Sequence, residues 1–443
     1  MTVKSAGGLP EMALSAHGAG RLQEAAQIYR QILKYTPDHP LALNNLAMIL
    51  GEAGEFAQAE ALLQRLLRQH PDNVTVLVNL GKALHLQKKL DEAIACCERG
   101  LKLSPENREL LNTLALSLDA AGRYEEAIAL LNKMVRRRPG YAKGHYYLGT
   151  LHNRLGHCDE AVAHFNKATS INPADGASFV GAGECLLLHG RSEEALAQID
   201  RALRVKTYDV RALALKTLAL AELGRKEEEK WLSDPFHFIH MCRITDFGYS
   251  QDQVAALNRA LSEFASSEPS LREDPPEYAT ANSWHSTTNL MDSGNPAVEE
   301  LTKFMAYALE DRRRGLSRED PSHPFVRGAP GDFRIDLWAV KQMSGSKMLP
   351  HIHVDGWLSA SYYVDVPGIV NDPAAGEAGW IKFGTPRIDI KLTKEPLTRT
   401  IKPEPGLLVT FPSYFWHDTV PLPANNREQR LVLAFDWQPI RAR

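Results

Sequence analysis

Residues 106–139 read ENRELLNTLALSLDAAGRYEEAIALLNKMVRRRP, and residues 72–105 before them read DNVTVLVNLGKALHLQKKLDEAIACCERGLKLSP. Laid one over the other, both have a leucine-rich first half, a Glu-Ala pair (Glu92-Ala93, Glu126-Ala127) and a closing proline. Outward from these two stretches, proline recurs at Pro37, Pro71, Pro105, Pro139 and Pro173, a constant step of 34. Glycine holds the same period at Gly20, Gly54, Gly122, Gly156, Gly190 and Gly224, with Lys88 in the one gap. Alanine makes a third register at Ala25, Ala59, Ala93, Ala127, Ala161 and Ala195. Each marker has a physical task in a pair of helices. The glycine suits a sharp turn that needs positive φ. The small alanine lets two helices approach, and the proline ends the second helix because it cannot continue the hydrogen-bond ladder. One such pair cannot bury its apolar face, so pairs must stack into a solenoid with a groove. About six pairs are expected, from near residue 10 to near 225.

The markers, with Asn79-Leu80-Gly81, Tyr147-Leu148-Gly149 and Glu160-Ala161, resemble the tetratricopeptide repeat family. That resemblance implies a groove that takes a protein or peptide. Asn45 and Asn79 occupy equivalent inner positions and are candidates to bind an extended backbone, although their next equivalents are Thr113 and Tyr147.

The totals bound the rest. The chain has 443 residues, enough for two or three domains. Lys plus Arg is 51 against Asp plus Glu at 54, so no charge excess points to nucleic acid as a partner. No apolar run reaches the ~18 residues of a membrane span, and no secretion-signal core opens the chain. Five scattered cysteines without CxxC spacing suggest reduced thiols in a cytoplasmic setting. The 34-residue register stops after Gly224, which places a domain boundary near 228/229: a repeat solenoid over 10–228 and a second domain over 229–443.

In that second domain the spacing predicts helices over 251–264 and 296–310. Strands are then expected at 333–341, 358–366, 379–383, 407–411 and 430–437. Strands without intervening helices indicate a sandwich or jelly roll with flanking helices, not a parallel α/β sheet.

The chemistry concentrates in Pro350-His351-Ile352-His353-Val354-Asp355-Gly356. In an extended chain residues two apart share a face, so His351, His353 and Asp355 can converge on one ion. His417 is the only later histidine, and Arg430 follows 13 residues on. Two imidazoles and one carboxylate leave open positions on a metal, an arrangement suited to non-haem Fe(II). A guanidinium nearby is a clamp for a carboxylate.

The segments PHIHVDGWLSASYYVDVP, GWIKFGTPR, GLLVTFPSYFWHDTVP and REQRLVLAFDW together resemble the Fe(II)- and 2-oxoglutarate-dependent oxygenases. The likeness spans roughly 230 to 443 and is strongest after Phe333. It implies a double-stranded β-helix, Fe(II), 2-oxoglutarate as co-substrate and O₂. The family order maps the metal ligands onto His353, Asp355 and His417, with His351 the alternative third ligand, and the co-substrate anchor onto Arg430. Tyr363, or its neighbour Tyr362, is a candidate donor to the co-substrate. The expected function is hydroxylation of a protein or peptide side chain recruited by the repeats. The competing readings are a small-molecule oxygenase and a non-catalytic interaction scaffold with a degenerate barrel. A three-histidine zinc site with an activated water is chemically possible too, but it gives Arg430 no task.

Overall fold

The computed structural model of the chain describes residues 8–275, 280–424 and 427–440. Among these, fourteen helices run from Leu9–Gly18 to Lys226–Ser233 as seven successive pairs, the six expected and a shorter seventh, Val210–Leu223 with Lys226–Ser233. Each marker stands where its chemistry requires. The register glycines Gly20, Gly54, Gly122, Gly156, Gly190 and Gly224 have φ between 72° and 81°. The register alanines Ala25, Ala93, Ala127, Ala161 and Ala195 are 0 % exposed, which leaves no room for a larger side chain. Several first helices carry their own cap: Asn73, Asn107 and Asp209 accept the backbone N–H three residues on. No helix among the described residues is long and apolar enough to cross a membrane.

The chain divides into two compact units, Met1–His157 and Cys158–Arg443. The second unit contains the last repeat helices together with all the strands. Its strands are β1 (His240–Arg243), β2 (Leu271–Glu273), β3 (Thr280–Ser286), β4 (Phe333–Met348), β5 (Leu358–Asp365), β6 (Ile381–Phe383), β7 (Arg399–Ile401), β8 (Leu407–Pro412), β9 (His417–Thr419) and β10 (Arg430–Pro439). They form a seven-stranded sheet in the order β1-β8-β5-β10-β4-β3-β2 and a three-stranded sheet in the order β7-β6-β9. Every pairing is antiparallel. The helices Gln251–Ser266 and Pro296–Leu316 flank the sheets. The expected strands and helices are all present. The short strands β1, β2, β7 and β9 escaped the sequence because three or four residues carry too little alternation to read, and the longer β3 escaped it because its segment, TANSWHS, is largely polar.

Within this unit, the last repeat helices hold the segments that flank the histidines. The Tyr208 hydroxyl donates to the Trp357 carbonyl at 2.7 Å, and the Trp416 indole N–H donates to the Ala214 carbonyl at 2.9 Å. The Tyr414 hydroxyl donates to the Leu232 carbonyl at 2.7 Å. Glu222 accepts from the Thr393 amide and hydroxyl, both at 2.6 Å, and Glu229 accepts the Leu397 amide at 2.6 Å. Trp357, Tyr414, Phe415 and Trp416 are all buried, so this aromatic cluster is core.

Candidate metal centre

Strand β10 builds one wall of the site by simple alternation. Arg430, Val432, Ala434, Asp436 and Gln438 line a cavity of about 490 Å³, while Leu431, Leu433, Phe435 and Trp437 are buried. Side chains two apart share a face, and the neighbouring strands continue it with Asp336, Trp338 and Val340 of β4 and Ser361 of β5.

The three histidines meet in the same cavity. His351 and His417 pair backbone to backbone, each amide donating to the other's carbonyl at 3.0 and 3.1 Å. The His353 amide donates to the Ser413 carbonyl at 3.1 Å. The ring centroids of His351, His353 and His417 stand 4.2, 5.0 and 5.2 Å apart, and one nitrogen from each ring lies within 4.8 Å of the others.

The second nitrogens explain why these rings can act as ligands. His351 Nδ1 contacts the Leu349 carbonyl at 2.8 Å, and His417 Nδ1 contacts the Phe415 carbonyl at 3.0 Å. His353 Nδ1 contacts Asp436 Oδ1 at 2.6 Å. A carbonyl or carboxylate oxygen only accepts, so the proton of each ring sits on Nδ1 and the lone pair on Nε2. Burial first, then the neighbouring His353, pushes His351 down to about 3. Burial, then His351 and His353, takes His417 well below the ordinary imidazole range. Both rings are therefore neutral, which is the ligating form. Phe411 packs 4.6 Å from the His417 ring and Trp338 lies 5.5 Å from that of His353. The donor set of three fixed imidazoles fits a divalent transition metal.

Asp355, expected as the third ligand, is not part of this group, and His351 stands there instead. The extended chain on which the alternation rests ends at His353. The Gly356 amide closes a turn onto the His353 carbonyl at 3.1 Å, and Asp355 falls in that turn, exposed, on the lining of the same cavity.

Arg430 is 3 % exposed and lines the cavity. Its Nε donates to the Gly379 carbonyl at 3.1 Å and its Nη1 to Gln342 Oε1 at 2.5 Å, both neutral acceptors. Among the described residues no carboxylate pairs with it. Burial pulls the guanidinium below its usual range, and the Tyr363 phenol beside it opposes that. A buried cation held only by dipoles fits an anionic ligand arriving through the cavity. The guanidinium lies 5.2 Å from the Tyr363 ring centroid. Tyr363 is fully buried beneath the guanidinium and is not on the cavity lining; Tyr362 donates to Asn258 Oδ1 at 2.8 Å, inside the core.

The sequence reading passed over Asp436, although it lies in the segment that carries the oxygenase likeness. Asp436 Oδ1 also accepts the Ser359 hydroxyl at 2.6 Å, and Ser359 meets Ser413 at 2.8 Å. The signal was there: a carboxylate inside an apolar strand, six residues and therefore one face from Arg430. In the repeats, Asn45 Nδ2 donates to the Tyr29 hydroxyl at 3.0 Å. Asn79 Nδ2 donates to Asn44 Oδ1 and Asn44 Nδ2 to Asn45 Oδ1, both at 3.1 Å. The two candidates are thus joined in one half-buried chain through Asn44, a residue the periodicity did not single out.

Comparison with known proteins agrees with both halves. Tetratricopeptide repeat profiles match 16–81, 52–116, 84–151 and 146–212. The chain is similar to the solved structure of YrrB, described as a TPR protein with an unusual peptide-binding site, at 22% identity over 44% of this chain and 100% of that one, TM-score 0.35. It is similar to a tetratricopeptide repeat protein from Parabacteroides merdae at 20% identity over 56% and 95%, TM-score 0.45. No curated protein matches it. Residues 336–436 match the family described as "Putative 2OG-Fe(II) oxygenase". The chain thus joins a run of tetratricopeptide repeats to a domain of this 2OG-Fe(II) oxygenase family.

Proposed function

We propose that the protein is an Fe(II)- and 2-oxoglutarate-dependent dioxygenase that hydroxylates a protein or peptide side chain recruited by its repeats. The observation that carries this reading is the presence, on one cavity, of three anchored imidazoles and a buried guanidinium without a carboxylate partner. A zinc hydrolase would need the imidazoles but has no use for Arg430.

In this reading His351, His353 and His417 hold the metal through Nε2, with the exposed Asp355 as the alternative third ligand. Asp436 keeps the His353 proton on Nδ1 and fixes the ring plane, with Ser359 holding the carboxylate in turn. Arg430 receives the far carboxylate of 2-oxoglutarate, and Tyr363 supports its guanidinium from behind. Fe(II), 2-oxoglutarate and O₂ together supply the oxidation of a substrate C–H bond, with succinate and CO₂ as by-products. Trp338 and Val432 line the cavity and would limit the access of bulk water to a metal held there. The tetratricopeptide matches support the protein or peptide substrate.

The test is succinate formation from 2-oxoglutarate with Fe(II) and O₂. Iron-dependent turnover in the wild type, lost in His417→Ala and shifted to a higher KM for 2-oxoglutarate in Arg430→Ala, supports the reading. A wild type that neither turns over nor gives the anaerobic Fe(II)–2-oxoglutarate absorption band rejects it in favour of a scaffold. Iron stoichiometry in His351→Ala and Asp355→Ala decides the third ligand.

A further inference from the structure

A second cluster of soft ligands lies in the repeats, away from the cavity. Where one helix pair meets the next, the first residue of a second helix corresponds to a position in the last turn of the following first helix. At the other joints these register positions carry Leu22, Phe56, Leu90, Tyr124 and Ser192 against Ile49, Ala83, Ser117, Leu151 and Ala219. One turn further on stand Ala53, Gln87, Ala121, Leu155 and Leu223. At a single joint all three positions change together, to Cys158, Cys185 and His189. The two sulfurs are 3.0 Å apart, and one imidazole nitrogen of His189 lies within 4.8 Å of both. Cys185 lies near the end of helix Gly176–Leu188 and His189, four residues on, is its C-cap, so the two fall on one side of the helix end. Cys158 opens helix Cys158–Ile171, whose N-terminus favours negative charge. Both cysteines are buried, and His189 reaches solvent.

We propose that Cys158, Cys185 and His189 form a second metal site, for a thiophilic cation such as Zn²⁺, that staples these two helices. Two thiolates balance the charge of a divalent ion, so the buried centre is neutral, and the imidazole supplies the third bond. Soft sulfur selects Zn²⁺ over the harder divalent cations, and the solvent-facing side leaves a fourth position for water. Binding displaces one proton from each thiol. Sulfurs at about 2.3 Å from a tetrahedral ion stand about 3.8 Å apart, so the pair opens by about 1 Å on binding.

The experiment uses the full chain, reduced, with Co²⁺ as the probe. Sulfur-to-cobalt charge transfer absorbs in the near ultraviolet, and an all-imidazole site has no such band. The expected result is the band in wild type and in His351→Ala/His417→Ala, and its absence in Cys158→Leu/Cys185→Ser. That last variant carries the residues of the Leu90–Ser117 joint and so keeps a packing the fold already uses. His189→Ala keeps the band but needs at least tenfold more Co²⁺ to reach it. Wild type should bind one more equivalent of Zn²⁺ than the Leu/Ser variant. No band in wild type at excess Co²⁺, or a band that survives in the Leu/Ser variant, overturns the proposal. So does a thiol titration of the isolated chain that finds three free thiols, not five, since the pair is then a disulfide.

Discussion

Lys88 occupies the turn where six other repeat turns carry glycine, and it adopts the same left-handed conformation, with φ 62°. An L side chain there costs roughly 1–2 kcal/mol. Lys88→Gly is expected to stabilise the chain by about 1 kcal/mol, read as a higher midpoint in urea with an unchanged slope. Asp436 is a single carboxylate with two clients, His353 and Ser359. Asp436→Asn should weaken metal binding by about 10–100-fold with little change in overall stability, measured by titration against a competing chelator. Buried neutral imidazoles set the acid limit of the metal-free chain. Burial pushes His285 down to about 4 and His351 to about 3, from the ordinary imidazole value of about 6.5. The unfolded chain then binds more protons below pH 6.5, so stability rises with pH across that window and is lost as pH falls toward 4. Denaturation at pH 5 and pH 7 should show the lower stability at pH 5.

The turn His353–Gly356 decides what the histidine segment can offer to a metal. Gly356 sits against Ser413, and a Cβ there would collide with the Ser413 hydroxyl and crowd Asp436. The Ser413–Ser359–Asp436 chain that steadies His353 passes through that contact. Gly356→Ala is therefore expected to lower metal affinity about tenfold or more through misplacement of His353. A Gly356→Ala protein with unchanged affinity in the chelator titration would show that the chain of hydroxyls has no part in holding the ring. Strand β10 has the opposite character. Its alternation puts Arg430 and Asp436 on the cavity and four large apolar residues behind them, so its register is strongly specified.

The two compact units divide the chain within the repeats, between His157 and Cys158. Helices Val210–Leu223 and Lys226–Ser233 supply the carbonyls that Trp416 and Tyr414 bind and the carboxylates of Glu222 and Glu229. Residues 158–443 should consequently fold as a unit, and residues 229–443 should not, because Trp416 and Tyr208's partner Trp357 lose buried hydrogen bonds at about 1–3 kcal/mol each. Circular dichroism and thermal melts of the two fragments check this. If the enzyme reading holds, the 158–443 fragment keeps substrate-free succinate formation but loses turnover of the protein substrate.

The helix pairs, the strands β4, β5, β6, β8 and β10, and four of the residues on the cavity, His351, His353, His417 and Arg430, were legible in the sequence. These follow from local rules: a 34-residue period, two-residue alternation, and the residue types that metals and carboxylates need. What the sequence could not decide was where Asp355 stands, the support for His353, and which repeats belong with the strands. A turn closed by one backbone hydrogen bond takes Asp355 out of the alternation. Asp436 reaches His353 from 83 residues away in the chain, and Trp416 reaches Ala214 across 202. Contacts at such separations leave no periodic trace, because they depend on how the sheets and helices pack and not on the spacing of neighbours along the chain.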